Sequence, residues 1–281
     1  MHGATGPAVS TLPLDALDDE LPQAEADLAR APTALDDLLR IGDAGSRELL
    51  AGAEGVWVPG FVIQRAPVTV GDYLRFLDAL PHPTAESHQP LRQRSQGSEG
   101  EPLLRWTGRH WEAPTELPLS LPITSVRWCD AAAYAAWLAE VEGRPWRLPH
   151  SSEWEKAARG VDRRRYPWGD FCDPTWTNVS NATDQRPALT DTERWPEDVS
   201  LYGVLGMTGN VREMCGDLSR REGPLPHVVP EFSDEPGQRF VRGGAYTVSH
   251  TQAASAGRVV IAETSRYPSI GFRLARSLPQ T

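Results

Sequence analysis

Apolar residues fall at helical spacing in three stretches of the chain and gather in short β-like runs elsewhere. In residues 71–80 (GDYLRFLDAL), Tyr73, Phe76, Leu77 and Leu80 share one face of a predicted helix. Residues 130–143 (DAAAYAAWLAEVEG) predict another. Asp130 can cap it, alanine favours it, Tyr134, Trp137 and Leu138 face inward, and Gly143 ends it. After a break at Pro149, Ser152 and Glu155 have capping-box spacing for a third helix. Trp154, Ala157 and Ala158 form its buried face, and Glu153, Glu155 and Arg159 can tie it to neighbouring loops.

The β-like runs are short. Residues 56–63 (VWVPGFVI) are interrupted by Pro59-Gly60, and 121–128 (LPITSVRW) predict one strand. Residues 103–112 predict a hairpin around Thr107-Gly108. Three more runs come late: 239–246 (RFVRGGAY), 258–263 (RVVIAE) and 271–276 (GFRLAR). Between these, 82–102 reads as a long exposed excursion and 160–200 as loop broken by prolines. Leucines from 14 to 39 partly fit an amphipathic helix, broken by Pro22 and Pro32, which predicts an attached arm or a docking segment.

Composition agrees with short elements. The 281 residues include 24 Gly and 25 Pro, and all ten Trp lie between Trp57 and Trp195, so turns and aromatic anchors dominate. This excludes a helix bundle or a βα repeat. Net charge is −10, which argues against nucleic acid as a partner. Residues 1–50 hold ten acidic residues against three Arg, so −7 of the −10 lies there and −3 remains for the rest. The chain therefore divides into an acidic, partly helical arm (1–50) and a near-neutral domain (51–281). It contains no apolar run of ~20 residues and no recognisable signal peptide, so no membrane association is expected. Three cysteines without a CxxC pair point to reduced thiols and a cytoplasmic location.

Six strings occur in order: FVIQRAPVTVGDYLRFLDA, LPITSVRWCDAAAYAAWLAEVEGRPWRLPHSSEWEKAARG, RRYPWGD, YGVLGMTGNVREMCGD, RFVRGG and IGFRLAR. Together, across roughly 51–277, they resemble the formylglycine-generating-enzyme (sulfatase-modifying-factor) domain family. The branch most similar is the one fused behind bacterial Ser/Thr kinases, although this chain shows no Gly-rich ATP loop, HRD or DFG. The resemblance implies an α+β fold of the C-type-lectin-like type. It has two main helices, short antiparallel sheets, many loops and a site on the C-terminal segment.

It also implies calcium. Asn178 with the Val179 carbonyl matches one family site, with Asp184 as a candidate carboxylate partner; Glu213 with the carbonyls of Gly209 and Val211 matches a second, where Gly206 lacks a side-chain oxygen relatives often have. The family's oxidase binds copper(I) through two thiols after RGG, but residues 216–281 hold no cysteine; Val248 and His250 stand near those positions. No copper is therefore expected. Cys129 and Cys215 read as buried small residues. A second enzymatic subclass binds iron through histidines, but the seven His show no HxH or HxxxH pairing. His150 reads as a helix cap, and His227 and His250 as residues that could meet in space. The remaining expectation is a non-catalytic recognition or regulatory domain. It would bind a small-molecule ligand or a protein, such as a Ser/Thr kinase or other effector, through Tyr246, His250, Gln252, Arg258, Arg266 and Tyr267. The alternative is a metal-dependent oxidase or oxygenase.

Overall fold

A computed structural model describes residues 38–41, 58–92, 100–218 and 237–278. Two sheets and a helical layer share the core. Strand β2 (Phe61–Gln64) lies between β1 (Leu38–Ile41) and β11 (Ala275–Ser277), antiparallel to both. Its side chains alternate between two apolar clusters, as strand geometry requires. Val62 joins the larger cluster, with Tyr73, Phe76, Tyr134 and Phe272; Phe61 and Ile63 join the smaller, with Trp154, Met207 and Cys215.

The larger cluster is closed by α1 (Val70–Ala79) and α3 (Trp128–Glu142), with the short α2 (His82–Ser87) following α1. Thr69 and Asp72 form a capping box at the start of α1. Tyr73, Phe76 and Leu77 point inward as predicted. Tyr73 stacks on Tyr134 at 5.9 Å, so the aromatic faces of α1 and α3 meet directly. Gly143 ends α3 at φ 65°, a conformation glycine takes without strain. Asp130 acts at the third helical position rather than as the cap itself, accepting from the Arg127 N–H.

The smaller cluster rests on α4 (Ser151–Arg159). Its cap is His150, whose N–H donates to Glu153, so the predicted Ser152–Glu155 box does not form. Glu155 is used instead by Arg242 and Arg159. Beneath α4 runs the second sheet, in the order β10 (Ile270–Gly271), β7 (Arg212–Leu218), β8 (Gln238–Arg242), β9 (Arg258–Ala262). The β10–β7 pair is parallel and the others antiparallel. Strand β7 went unread in the sequence because Arg, Glu and Asp interrupt its apolar pattern.

Two further readings need correction. Residues 121–127 form no strand; Ser125 has φ 63°, and the segment bonds in turn to Val68, Tyr267 and Leu91. The excursion at 82–102 is ordered at both ends, by α2 and by the pairing of β3 (Leu91–Arg92) with β4 (Glu101–Pro102). The predicted hairpin is present as β5 (Arg105–Trp106) and β6 (Trp111–Glu112). The late strands are shorter than their apolar runs: 271–276 is split between β10 and β11. Most of the leucine-spaced stretch lies outside the described residues. Its end does not: β1 falls within residues 1–50, and its Ile41 is buried in the smaller cluster.

Truncation to residue 45 would remove β1 and uncover β2. A chain lacking residues 1–45 is expected to be about 2 kcal/mol or more less stable than one lacking only 1–33, from the loss of the Ile41 burial alone. Denaturant melts of the two truncations measure this.

Candidate functional site

The site is built on a buried frame. Glu213 on β7 and Arg273, just after β10, are both fully buried. Arg273 Nε donates to Glu213 Oε2 at 2.6 Å and Nη2 to Oε1 at 2.7 Å, while Trp154 Nε1 from α4 donates to Oε2 at 2.9 Å. The guanidinium also reaches the carbonyls of Gln64, Arg65 and Leu205. Both carboxylate oxygens are thus taken by cationic and indole donors. Glu213 does not fit the role of a calcium ligand: the arginine already neutralises it.

Residues 206–211 lie over this frame. Buried Asp198 accepts from Thr177 Oγ1 at 2.6 Å and from the N–H groups of Thr208 and Gly209. Burial raises its pKa despite these bonds. Gly209 permits the close packing, since a Cβ there would lie 2.4 Å from Thr177 Oγ1. Asn178 donates from Nδ2 toward Asn210 Oδ1 (2.9 Å), the Ala188 carbonyl (2.9 Å) and Thr190 Oγ1 (3.1 Å). Three oxygens thus surround one amide nitrogen that has two N–H groups. The Val179 carbonyl accepts from Ala182 N–H, the Gly209 carbonyl accepts from Val211 N–H, and Asp184 is exposed. Among the described residues, no three His, Cys, Asp or Glu side chains come together as a metal-binding group.

The C-terminal segment crosses the same frame. Gly244 N–H donates to the Thr208 carbonyl, Tyr246 N–H to Asn210, Ser180 N–H to Val248 and Ser255 N–H to Arg165. The backbone is pinned at four points while many side chains face outward. Gln252, Arg258 and Tyr267 are exposed, and Tyr246 and His250 are half-buried. Tyr246 Oη lies 3.4 Å from the carbonyl of Pro268, the residue after Tyr267. Arg258 lies over the Phe240 ring at 5.0 Å. Asn181 accepts from His250 N–H, and its Nδ2 stands 2.7 Å from His250 Nδ1. Nothing in the sequence pattern singled out this asparagine.

Arg266 is different. Only 8% exposed, it pairs with Asp130 at 3.1 Å, a carboxylate also held by Arg127 and His88. It fastens the segment to α3 and offers no surface contact. Cys215 is buried as expected, but Cys129 is exposed at the start of α3. His227 lies outside the described residues. His150 is buried beneath the frame, 3.9 Å from Asp217, and serves as the cap of α4.

These elements define an α+β domain of the C-type-lectin-like fold, and the comparisons agree. The solved structures of PvdO from Pseudomonas aeruginosa (22% identical, TM-score 0.65, 86% of this chain and 90% of that one) and Treponema denticola variable protein 1 (18%, 0.61, 86% and 95%) share the fold. The sulfatase-modifying factor enzyme 1-like domain family matches residues 34–278, and the chain belongs to that family. Relatives include a formylglycine-generating enzyme of Thermomonospora curvata (31% identical over 195 residues, 60% of this chain and 61% of that protein). A hercynine oxygenase of Mycobacterium tuberculosis is 34% identical over 209 residues, 70% of this chain and 46% of that protein. The serine/threonine-protein kinase Pkn1 of Chlamydia trachomatis is 30% identical over 174 residues, 62% of this chain and 25% of the kinase. The chain therefore spans no more than about three-fifths of these relatives. Among the described residues, no helix is long and apolar enough to cross a membrane.

Burial lowers the His150 pKa from 6.5 to about 4. The folded state holds the ring neutral, and the unfolded chain binds its proton first. Stability from this group is therefore complete above about pH 6.5 and lost as pH falls through about 4, on the order of 3 kcal/mol in all. Melts between pH 7 and 4 should show a shallower acid loss for His150→Asn, whose side chain can cap a helix and does not titrate.

Proposed function

We propose that this chain is a non-catalytic recognition domain that binds a ligand or protein partner with the outward face of its C-terminal segment. One observation carries the reading: a largely irregular segment is pinned by its backbone to a rigid floor, with Gln252, Arg258 and Tyr267 exposed and Tyr246 and His250 half-buried among them. Preorganised backbone lowers the ordering cost of binding, and tyrosine with small polar residues suits an adaptable contact. The donor set also argues against the copper chemistry of the family, because residues 216–281 contain no thiol. The Chlamydia kinase, which contains a similar stretch, supports a kinase or other effector as the regulated partner. Glycan and peptide arrays probed with the protein should reveal a ligand whose signal falls at least tenfold in Tyr246→Ala and Tyr267→Ala variants that melt like the parent. A ligand retained by both variants would remove the reading.

The hercynine oxygenase relative favours a second reading, a metal-dependent oxygenase using His250. The residues described around His250 provide Asn181 rather than a second histidine or a carboxylate. Calcium is a separate proposal, and Asn178 is its best-supported ligand. With its amide turned, the Asn178 oxygen would face those of Ala188, Thr190 and Asn210, a hard-donor set suited to that ion. Elemental analysis, with melts in calcium and in chelator, separates these. The recognition reading expects no stoichiometric iron, and the calcium proposal expects a stabilisation that Asn178→Ala abolishes.

A further inference from the structure

Four buried arginines of this domain form ion pairs. Arg239 meets Glu263, Arg242 meets Glu155, Arg266 meets Asp130 and Arg273 meets Glu213. Arg212, at the start of β7, is half-buried and has no such partner. Among the described residues no carboxylate lies within ion-pair distance of it, and the one hydrogen bond of its guanidinium runs from Nη1 to the Gly243 carbonyl at 2.7 Å. Burial alone pulls its pKa below the ordinary arginine range. A desolvated guanidinium with spare N–H groups is costly to keep unless a further group meets it.

Its position shows where that would be. Glu213 points into the frame, so the neighbouring Arg212 side chain leaves the opposite face of the strand. Arg212 is bracketed by the two stretches that carry the recognition surface. Its guanidinium touches Gly243, three residues before Tyr246, and its N–H donates to the Ser269 carbonyl, two residues after Tyr267. Tyr246 spans the same two stretches through its contact with Pro268.

We propose that Arg212 anchors a carboxylate group of the ligand, with Tyr246 beside it. The planar fork of a guanidinium matches a carboxylate through two parallel N–H···O bonds. Charge selects carboxylate over phosphate: one half-buried cation neutralises a monoanion, whereas a dianion would leave excess charge in a partly dehydrated site. The inference deepens the recognition reading and rests on it for its place in function, but the binding itself is testable apart from it.

The test follows the Arg212 Nε–H resonance of the full chain by NMR during titration with acetate, inorganic phosphate and neutral acetamide. Acetate should give a saturable shift, phosphate a weaker one and acetamide none. Arg212→Gln should weaken acetate binding, followed through nearby backbone amides, at least about tenfold, the loss of a charge-assisted pair. Arg212→Lys keeps the charge and a donor for Gly243, so it serves if the glutamine variant does not fold; losing the fork, it too should bind more weakly. Acetate binding that survives either folded variant unchanged overturns the proposal, as does a phosphate affinity above that of acetate or no saturable shift. Acetate binding through Arg212 with array ligands indifferent to Tyr246→Ala and Tyr267→Ala would sink the recognition reading alone. An array ligand lost in those variants but kept at full strength by Arg212→Gln would sink the carboxylate anchor alone.

Discussion

Burying Glu213 beside Arg273 costs several kcal/mol of desolvation for each ion, which their attraction offsets only when the remaining donors and acceptors are also satisfied. Here they are. The carboxylate takes two guanidinium bonds and the Trp154 indole, and the guanidinium takes three carbonyls from residues 64, 65 and 205. Each of those bonds fixes a different piece of chain: α4, β7, the end of β2, the loop before β7 and the segment leading into β11. Few of these pieces are regular enough to hold themselves by ladder bonds. The ion pair substitutes for the missing secondary structure, and the loops above it inherit fixed positions.

The same device recurs outward from the centre. Arg242 joins the end of β8 to Glu155 on α4 and to the carbonyl of Ala256. Arg239 joins β8 to Glu263, with its guanidinium 3.9 Å above the Trp128 ring. Arg266 joins the far end of the C-terminal segment to Asp130 on α3. The segment is therefore braced on both sides, by sheet and by helix, without becoming a strand over most of its length. Loop backbone held this way can vary its outward side chains with little effect on the frame, as expected of a surface that carries function.

This arrangement also explains what the sequence could reveal. Helices α1 and α3 were legible because their signals are local: an apolar spacing of three and four in both, and a terminal glycine in α3. The hairpin at Thr107-Gly108 was legible for the same reason. The arginine partners were not. Arg273 and Glu213 are 60 residues apart, Arg242 and Glu155 are 87, and Arg266 and Asp130 are 136. Hence Arg266 read as a surface contact and Glu213 as a metal ligand, each with the right chemical type and an invisible partner. The run at 121–128 looked like a strand because it is apolar, yet Ser125 turns it through positive φ and its bonds go to three separate segments. Asn181, which holds His250, carries no local signal at all.

Family membership thus fixes the frame more firmly than the chemistry. Relatives named for formylglycine formation and as a hercynine oxygenase match this chain at similar identity, and activity on one fold follows the site rather than the frame. In this chain those loops carry tyrosines, amides and an arginine where copper chemistry would require paired thiols. The floor is electrically closed at each of the four arginine pairs named above, and that closure gives the exception its meaning. Arg212 belongs to the same strand as Glu213 and starts from the same frame, yet its side chain emerges on the other face and meets one carbonyl. Among the described residues, four buried arginines are met by carboxylates while the half-buried Arg212 is not, and an anionic group of the ligand completes the pattern.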